Sequence, residues 1–248
     1  MNKKTSLKID IINFDFEGLE QEAIVAYPEK TPAPGVIFIH GHQGNAYNSL
    51  LAGRKLLEQG YAVFLPSMLG YGYSEGKPDY CGPKTIGAIY EGAKIFFEDP
   101  KVDKSKIAIY GVSRGAMTAS QIITQNKFHF AAAVLEAGAY DFETFYTDPK
   151  TPEEIKYKLY KETGATNEEL KNRSAIRSAE NIDCPVLLLH GSVDDRVSVE
   201  QAKTFAQELE KYNKKYQLTI IEGAGHRLAR KNRYEYVFSF LKDYLSFI

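Results

Sequence analysis

The stretch of sequence that decides the fold is KIAIYGVSRGAMTASQIITQN, residues 106–126. It begins as a short apolar run typical of a strand and ends with the apolar spacing of a helix. Between the two, Gly111, Ser113 and Gly115 form a Gly-x-Ser-x-Gly turn. This strand–turn–helix context presents a serine hydroxyl above the edge of a sheet, next to a helix N-terminus that favours negative charge. In the alternative interpretation Ser113 only caps the helix, a common role for serine at that position.

Strand-like and helix-like segments alternate on both sides of this turn. Uninterrupted apolar runs are typical of strands that are covered on both faces, and their alternation with helices predicts an α/β fold with a mostly parallel sheet. One apolar run, residues 130–138 (FAAAVLEAG), also has a composition that suits a helix, but we interpret it as a strand. LKIDIINF and EAIVAYP predict an antiparallel hairpin at one edge. The predicted parallel strands, besides the one at 106–111, are GVIFIHG (35–41), YAVFLP (61–66), FAAAVLEAG (130–138), CPVLLLHG (184–191) and YQLTIIEG (216–223).

One segment, residues 141–180, interrupts the alternation. It carries no strand pattern and predicts two or three short helices. An insertion between two late strands lies beside the carboxyl edge of the sheet, where ligands bind in open α/β folds. We therefore expect a single domain over residues 1–248, with 141–180 forming a small helical cap.

A serine nucleophile needs a base, and the chain has five histidines. His40 and His190 end apolar strands just before a glycine, which favours structural or supporting roles. His129 lies at the wrong end of the predicted sheet. His226 follows the last predicted strand in the glycine-rich loop GAGH, at the carboxyl edge. It is the best candidate for the base.

The base in turn needs an acid that fixes its tautomer. HGSVDDRV follows the preceding strand and offers both Asp194 and Asp195. We favour Asp194, which falls where the loop leaves the strand, and assign Asp195 to the loop or to the next helix N-terminus. Glu136, at the end of another strand, is a weaker candidate.

A tetrahedral intermediate needs N–H donors for its oxyanion. The residue after the nucleophile, Arg114, supplies one backbone amide. The loop HGHQGN supplies the other, which we assign to His42, with Gln43 as the near alternative. His40 and His42 also resemble a metal-binding pair, but no convincing third ligand accompanies them, so we expect no metal site.

Several aromatic and charged residues follow the same strand ends and are candidates for a substrate pocket. GYGYSEG (70–76) is neither a phosphate loop nor a dinucleotide fingerprint, but its tyrosines fall on the same edge. Aromatic residues at the start of the cap could line an apolar pocket or form the core that holds the cap down. Arg196 could steer a substrate carbonyl or carboxylate, or pair with a neighbouring aspartate. The predicted pocket residues are Gln43, Tyr71, Tyr73, Tyr140, Phe142, Phe145 and Arg196.

Composition excludes several classes of function. The chain has 248 residues, 44% hydrophobic and 25% charged, with a net charge of −1. It therefore has no basic field for binding nucleic acid or an anionic membrane. We find neither a signal peptide nor an apolar run of membrane-spanning length. Two cysteines, Cys81 and Cys184, are too few for a disulfide scaffold, so we expect a cytoplasmic protein.

Taken together, HGHQGN, LGYGYSEG, DYCGPKT, YGVSRGA, HGSVDDRV and GAGH resemble the α/β-hydrolase superfamily. Most closely, over roughly residues 33–248, they resemble the prolyl-oligopeptidase-like serine hydrolases. The resemblance implies a sheet of about eight strands and a triad of Ser113, Asp194 and His226. Peptidases of that family usually carry a large N-terminal β-propeller, and the thirty or so residues before the matched segment are too few for one.

These features predict a serine hydrolase that cleaves carboxylic esters with small or medium acyl groups and needs no cofactor. The first alternative is an aminopeptidase or amidase that acts on short peptides. The second, from another class, is a non-catalytic binding protein with a hydrolase fold. The expected partner is a small ester or a short peptide. The tyrosines and the C-terminal helix are also compatible with a homodimer.

Overall fold

The computed structural model describes residues 8–246, and its centre is one eight-stranded sheet. The strand order is β1-β2-β4-β3-β5-β6-β7-β8. β1 pairs antiparallel with β2, and β2 antiparallel with β4, whereas all the other pairs are parallel. The strands are β1 Lys8–Phe16, β2 Leu19–Tyr27, β3 Ala33–Ile39, β4 Ala62–Pro66, β5 Val102–Val112, β6 Ala132–Glu136, β7 Val186–Gly191 and β8 Tyr216–Ile221.

Helices cover both faces of the sheet. Because side chains alternate along a strand, neighbouring residues pack into different layers. In β5, Ile107 and Ile109 face the layer that contains α2, α3 and α7, while Ala108 and Tyr110 face α1 and α8. These helices are α1 Leu50–Leu57, α2 Pro83–Glu98, α3 Arg114–Thr124, α7 Glu200–Lys211 and α8 Arg230–Leu245. The sequence prediction of an α/β-hydrolase fold is confirmed.

Between β6 and β7 lie three short α-helices and a 3₁₀ helix. They are α4 Phe142–Thr147, α5 Glu153–Thr163, α6 Asn167–Asn172 and the 3₁₀ helix Ala175–Asn181. The Asp141 side chain caps α4, and Gly164, with a left-handed φ of 77°, ends α5. A separate apolar cluster that includes Phe142, Phe145 and Leu159 packs this segment onto Tyr80 and Met117.

The predicted elements differ from the observed ones mainly at their ends. β5 begins at Val102, four residues before the predicted strand. FAAAVLEAG contains strand β6 rather than a helix. Residues 1–7 and 247–248 lie outside the described residues. Part of the N-terminal segment on which the signal-peptide expectation rests therefore lies there too.

Candidate active site

The turn between β5 and α3 holds Ser113 in a strained conformation. Its φ of 55° and ψ of −118° lie in a region of backbone conformation that residues other than glycine rarely adopt. The Ser113 N–H donates to the backbone oxygen of Glu136 at 2.7 Å. The Ser113 side chain makes no capping hydrogen bond to α3. The N-cap interpretation therefore does not account for this serine.

The two glycines of the turn are required by close backbone packing. A Cβ atom on Gly111 would lie 2.1 Å from the oxygen of Gly115. A Cβ atom on Gly115 would lie 2.0 Å from the oxygen of Ile39, at the end of β3. Only glycine lets the first turn of α3 lie this close to the central strands, which explains the Gly-x-Ser-x-Gly spacing.

His226 lies against Ser113, although 113 positions separate them in the chain. The loop after β8 carries His226 to the carboxyl edge of the sheet, where its Nε2 atom is 3.0 Å from Ser113 Oγ. Its side chain is 13% exposed, which leaves the imidazole accessible from the cavity above.

Asp194 lies behind His226, on the loop after β7. Its Oδ2 is 2.8 Å and its Oδ1 3.0 Å from His226 Nδ1. Because an ionised carboxylate can only accept, the His226 proton sits on Nδ1, and Nε2 is left with its lone pair toward Ser113. The Asp194 side chain is fully buried, whereas Asp195 is exposed.

Further donors hold the Asp194 carboxylate in place. Oδ1 accepts from the backbone N–H of Arg196 at 2.9 Å and of Val197 at 3.0 Å. His190 Nε2, which is 2.9 Å from the Val197 oxygen, also lies 3.2 Å from Asp194 Oδ2. Burial by itself would raise the pKa of Asp194. The hydrogen bonds from His190, His226 and Val197 outweigh it and hold that pKa well below the usual range.

Two backbone segments lie next to Ser113, namely the loop after β3 and the first turn of α3. A Cβ atom on Gly41 would lie 3.3 Å from Ser113 Cβ, so the loop after β3 passes directly beside the serine. His42 follows Gly41 in this loop. Arg114 is the first residue of α3, and a backbone amide at that position has no acceptor within the helix.

Two cavities meet at Ser113 and His226. The larger has a volume of about 440 Å³, and its wall includes Phe38, Leu51 and Tyr234. The smaller has a volume of about 40 Å³, and its wall combines apolar side chains with charged ones from α3, α5 and the loop after β7. Its lining includes Tyr80, Met117, Phe145, Ile155, Lys158, Arg196 and Val197.

Only some of the predicted pocket residues line these cavities. Phe145 lines the smaller cavity and Arg196 lines both. Gln43 and Tyr73 are exposed and belong to neither lining, with Tyr73 at 76% exposure. Tyr71 also lies outside both linings and bonds to the side chain of His42.

Tyr140 and Phe142 lie in the protein core, away from both cavities. Tyr140 is stacked on Phe205 of α7 with ring centroids 4.6 Å apart. Phe142 is completely buried in the apolar cluster beneath the inserted helices. Both residues therefore pack the inserted segment onto the sheet, which is the structural alternative that the sequence left open.

The remaining candidates have other partners. Glu136 is buried, bonds to the Tyr110 hydroxyl, and pairs with Arg233 Nη1 at 3.3 Å rather than with His226. His40 ties two loops together: its Nδ1 donates to the Gly41 oxygen at 2.7 Å and its Nε2 accepts from the Met68 amide at 2.9 Å. His129 lies at a separate cavity beside Cys184.

Within residues 8–246, no group of three or more histidine, cysteine, aspartate or glutamate side chains could hold a metal ion. Both ring nitrogens of His42 are used by protein groups, namely Tyr71 Oη at 3.0 Å and Lys158 Nζ at 3.2 Å. Across the same part of the chain, no helix has the length and apolar character needed to cross a membrane.

Sequence reasoning missed the contribution of α5. Ile155, Lys158 and Glu162 all approach the site, the first two as cavity lining and the third as a partner of Arg114. Their segment, EEIKYKLYKET, reads as an amphipathic helix with a solvated charged face. Sequence spacing shows that residues 158 and 162 share a face, but it does not show that this face points inward.

Comparisons with known proteins agree with the fold. Residues 52–247 match the prolyl oligopeptidase family. The uncharacterized peptidase YuxL of Bacillus subtilis is 28% identical over 218 residues, which make up 81% of this chain and 32% of that protein. The chain thus spans about a third of this relative.

Solved structures show the same fold. An acylaminoacyl peptidase of Pyrococcus horikoshii superposes with a TM-score of 0.87 at 22% identity, over 99% of this chain and 43% of that one. An esterase of Pyrococcus furiosus superposes with a TM-score of 0.77 at 20% identity, over 99% of this chain and 94% of that one.

Proposed function

The chain belongs to the prolyl oligopeptidase family and is a serine hydrolase, and we propose that Ser113, His226 and Asp194 are its catalytic triad. The observation that carries this proposal is the unbroken chain of contacts from Ser113 Oγ through the imidazole to the buried carboxylate, at 3.0 and 2.8 Å. These are hydrogen-bond distances for both proton transfer and orientation of the base.

In the proposed reaction, Ser113 Oγ attacks the carbonyl carbon of the substrate while His226 Nε2 takes the serine proton. The backbone amides of His42 and Arg114 donate to the oxyanion that forms. The intermediate collapses to an acyl-enzyme, and His226 gives its proton to the departing alcohol. Water then attacks the acyl-enzyme with His226 as base, releasing the acid and restoring Ser113. The reaction needs no cofactor.

We assign esters with small or medium acyl groups as the substrate class. The cavity of about 40 Å³ beside Ser113 has room for a short acyl chain, and Met117, Phe145 and Val197 give it an apolar wall. The cavity of about 440 Å³ on the other side leaves space for a larger alcohol. Residues 141–180 would act as the cap, since Phe145, Ile155 and Lys158 from this segment form part of the smaller cavity.

A peptidase or amidase acting on short peptides is the second candidate. It is favoured by YuxL, a relative with 28% identity that is described as a peptidase. Arg196 lines both cavities and could donate to a peptide carbonyl. Amide cleavage uses the same nucleophile and base, with an amine as the leaving group.

The test is hydrolysis of p-nitrophenyl esters from acetate to decanoate, alongside alanyl and prolyl p-nitroanilides. Ser113→Ala should abolish turnover, and Ser105→Ala, at an exposed serine on β5, should not. Faster turnover of anilides than of esters would favour the peptidase. A chain that neither turns over any substrate nor reacts with a serine-directed phosphonate would be a binding protein.

The expected homodimer and cytoplasmic location remain sequence predictions, which size-exclusion chromatography and cell fractionation test.

A further inference from the structure

The two residues proposed to bind the oxyanion share one tyrosine. Tyr71, in the loop after β4, accepts a hydrogen bond from Arg114 Nη1 at 2.8 Å. The same hydroxyl lies 3.0 Å from His42 Nδ1. His42 and Arg114 belong to different segments, His42 to the loop after β3 and Arg114 to the start of α3. Tyr71 therefore links the two sides of the proposed oxyanion hole through their side chains.

Helix α5 holds the same two residues from the other side. Glu162 accepts two hydrogen bonds from the Arg114 guanidinium, each 3.0 Å long. Lys158 Nζ lies 3.2 Å from His42 Nε2. Since residues four apart lie on the same face of a helix, one face of α5 reaches both oxyanion residues at once.

The hydrogen-bond roles in this network have only one consistent assignment. A lysine ammonium group can only donate, so His42 Nε2 accepts and the His42 proton sits on Nδ1, facing Tyr71. Burial, together with the nearby cations Arg114, Lys158 and Arg196, lowers the pKa of His42 to about 4. The ring is therefore neutral near neutral pH, as the assignment requires.

The Arg114 side chain depends on this network because it is buried. It is 6% exposed, and its guanidinium lies over the Tyr80 ring at 3.8 Å. Glu162, its carboxylate partner, also accepts the backbone N–H of Tyr80 at 2.9 Å. Removing the carboxylate would leave a buried guanidinium without its charge partner, which is strongly unfavourable, so we expect the loss of Glu162 to displace Arg114 from its present position.

We propose that Tyr71, Lys158 and Glu162 are positioning residues that hold the backbone amides of His42 and Arg114 in place for the oxyanion. The inference rests on the proposed function. Oxyanion donors must lie within about 2.7–3.1 Å of the position of the developing charge, so small rotations of these amides cost rate. The helix that shapes the acyl cavity would thus also align the groups that stabilise the transition state.

The experiment compares Tyr71→Phe and Glu162→Gln with the wild type. Glu153→Gln is the matched control, since this carboxylate is on the same helix, 88% exposed, and paired only with Lys156 among the described residues. We would measure kcat and KM for a short p-nitrophenyl ester and the inhibition constant of a trifluoromethyl ketone. This inhibitor forms a tetrahedral adduct with the serine, whose oxyanion occupies the hole.

Tyr71→Phe and Glu162→Gln should each lower kcat by about tenfold to a hundredfold, with KM within about twofold. The inhibition constant should rise by the same factor by which kcat/KM falls. The double variant should lose less than the product of the single effects, because the two residues act on the same amides. Glu153→Gln should behave as the wild type.

Wild-type kcat and inhibition in both variants, with only the melting temperature lowered, would overturn the inference and leave the network a structural role. Tyr71→Phe removes a single oxygen, so it remains informative if Glu162→Gln folds poorly. Failure of the proposed function looks different: the wild type would then resist saturating phosphonate, or Ser113→Ala would keep its activity.

Discussion

Replacing Asp194 with asparagine should inactivate the protein without unfolding it. The two side chains have nearly the same shape, so the packing is preserved. The orientation of the new amide is fixed by its surroundings, because the backbone N–H groups of Arg196 and Val197 point at one oxygen from 2.9 and 3.0 Å. The amide oxygen must stay there, which turns the NH₂ group toward His226 Nδ1.

The result is the wrong tautomer of the base. An NH₂ group can only donate, and it would occupy the nearer position, 2.8 Å from His226 Nδ1. It therefore favours the tautomer in which Nδ1 accepts and the proton sits on Nε2. Nε2 is the atom 3.0 Å from Ser113 Oγ, and once protonated it cannot take the serine proton. The loss of an orienting aspartate in triads of this type lowers kcat by about 10⁴-fold, and we expect a loss of that size.

The assay is p-nitrophenyl ester hydrolysis, with melting temperature as the check on folding. Asp195→Asn is the matched control, because the Asp195 carboxylate is next to Asp194 in the chain but is exposed. The kcat of this variant should stay within about twofold of the wild type. An Asp194→Asn variant that keeps more than about a tenth of the wild-type kcat would refute the assignment of the acid. A large loss in Asp195→Asn instead would transfer the role to that residue.

Three further outcomes are expected. Gly115→Ala places a Cβ atom 2.0 Å from the Ile39 oxygen, about 1.4 Å closer than ordinary contact, so kcat should fall about a hundredfold or more. Gly225→Ala is the control: the nearest atom to its Cβ lies at 3.9 Å, so this variant should fold and melt as the wild type does. Because Asp194 has a folded pKa below its unfolded value of 3.8, its stabilisation is present above that pH and is lost as the pH falls below it. The melting temperature of the wild type should therefore drop more between pH 5 and pH 3 than that of Asp194→Asn. Ile155→Ala should enlarge the smaller cavity and move the best p-nitrophenyl ester to a longer acyl chain, at about 0.8 kcal/mol for each added CH₂; an unchanged optimum would place the acyl group elsewhere.

The sequence predicted the sheet well because its strands are buried on both faces. β3, β4 and β7 are buried at every position and therefore appear as uninterrupted apolar runs. Element ends were less predictable. β5 begins at Val102, in the polar stretch VDKSK that lacks the apolar pattern of a strand. Backbone pairing of Val102 and Asp103 with β3 starts the strand, and a shift in register separates this pairing from the one that resumes at Ile107.

The residues of the proposed triad could be expected to meet from sequence because they follow the ends of strands. Parallel strands end at the same edge, so the residues just after β5, β7 and β8 must lie close together. Pocket residues do not follow this rule. Tyr140 and Phe145 come from the same aromatic stretch, yet Tyr140 stacks in the core and Phe145 lines a cavity. Their placement depends on how the inserted helices pack, which local pattern does not encode.

Only the folded structure explains why residue 114 is an arginine. An oxyanion donor at this position needs just a backbone N–H, which every residue except proline supplies. The side chain is therefore free to serve another purpose, and here it is buried against Tyr80 and paired with Glu162. A buried ion pair contributes little net stability, but its two directional hydrogen bonds fix where the helix and the turn meet. The charge at residue 114 is thus better explained as fixing the geometry of the turn that carries Ser113 than as strengthening the core.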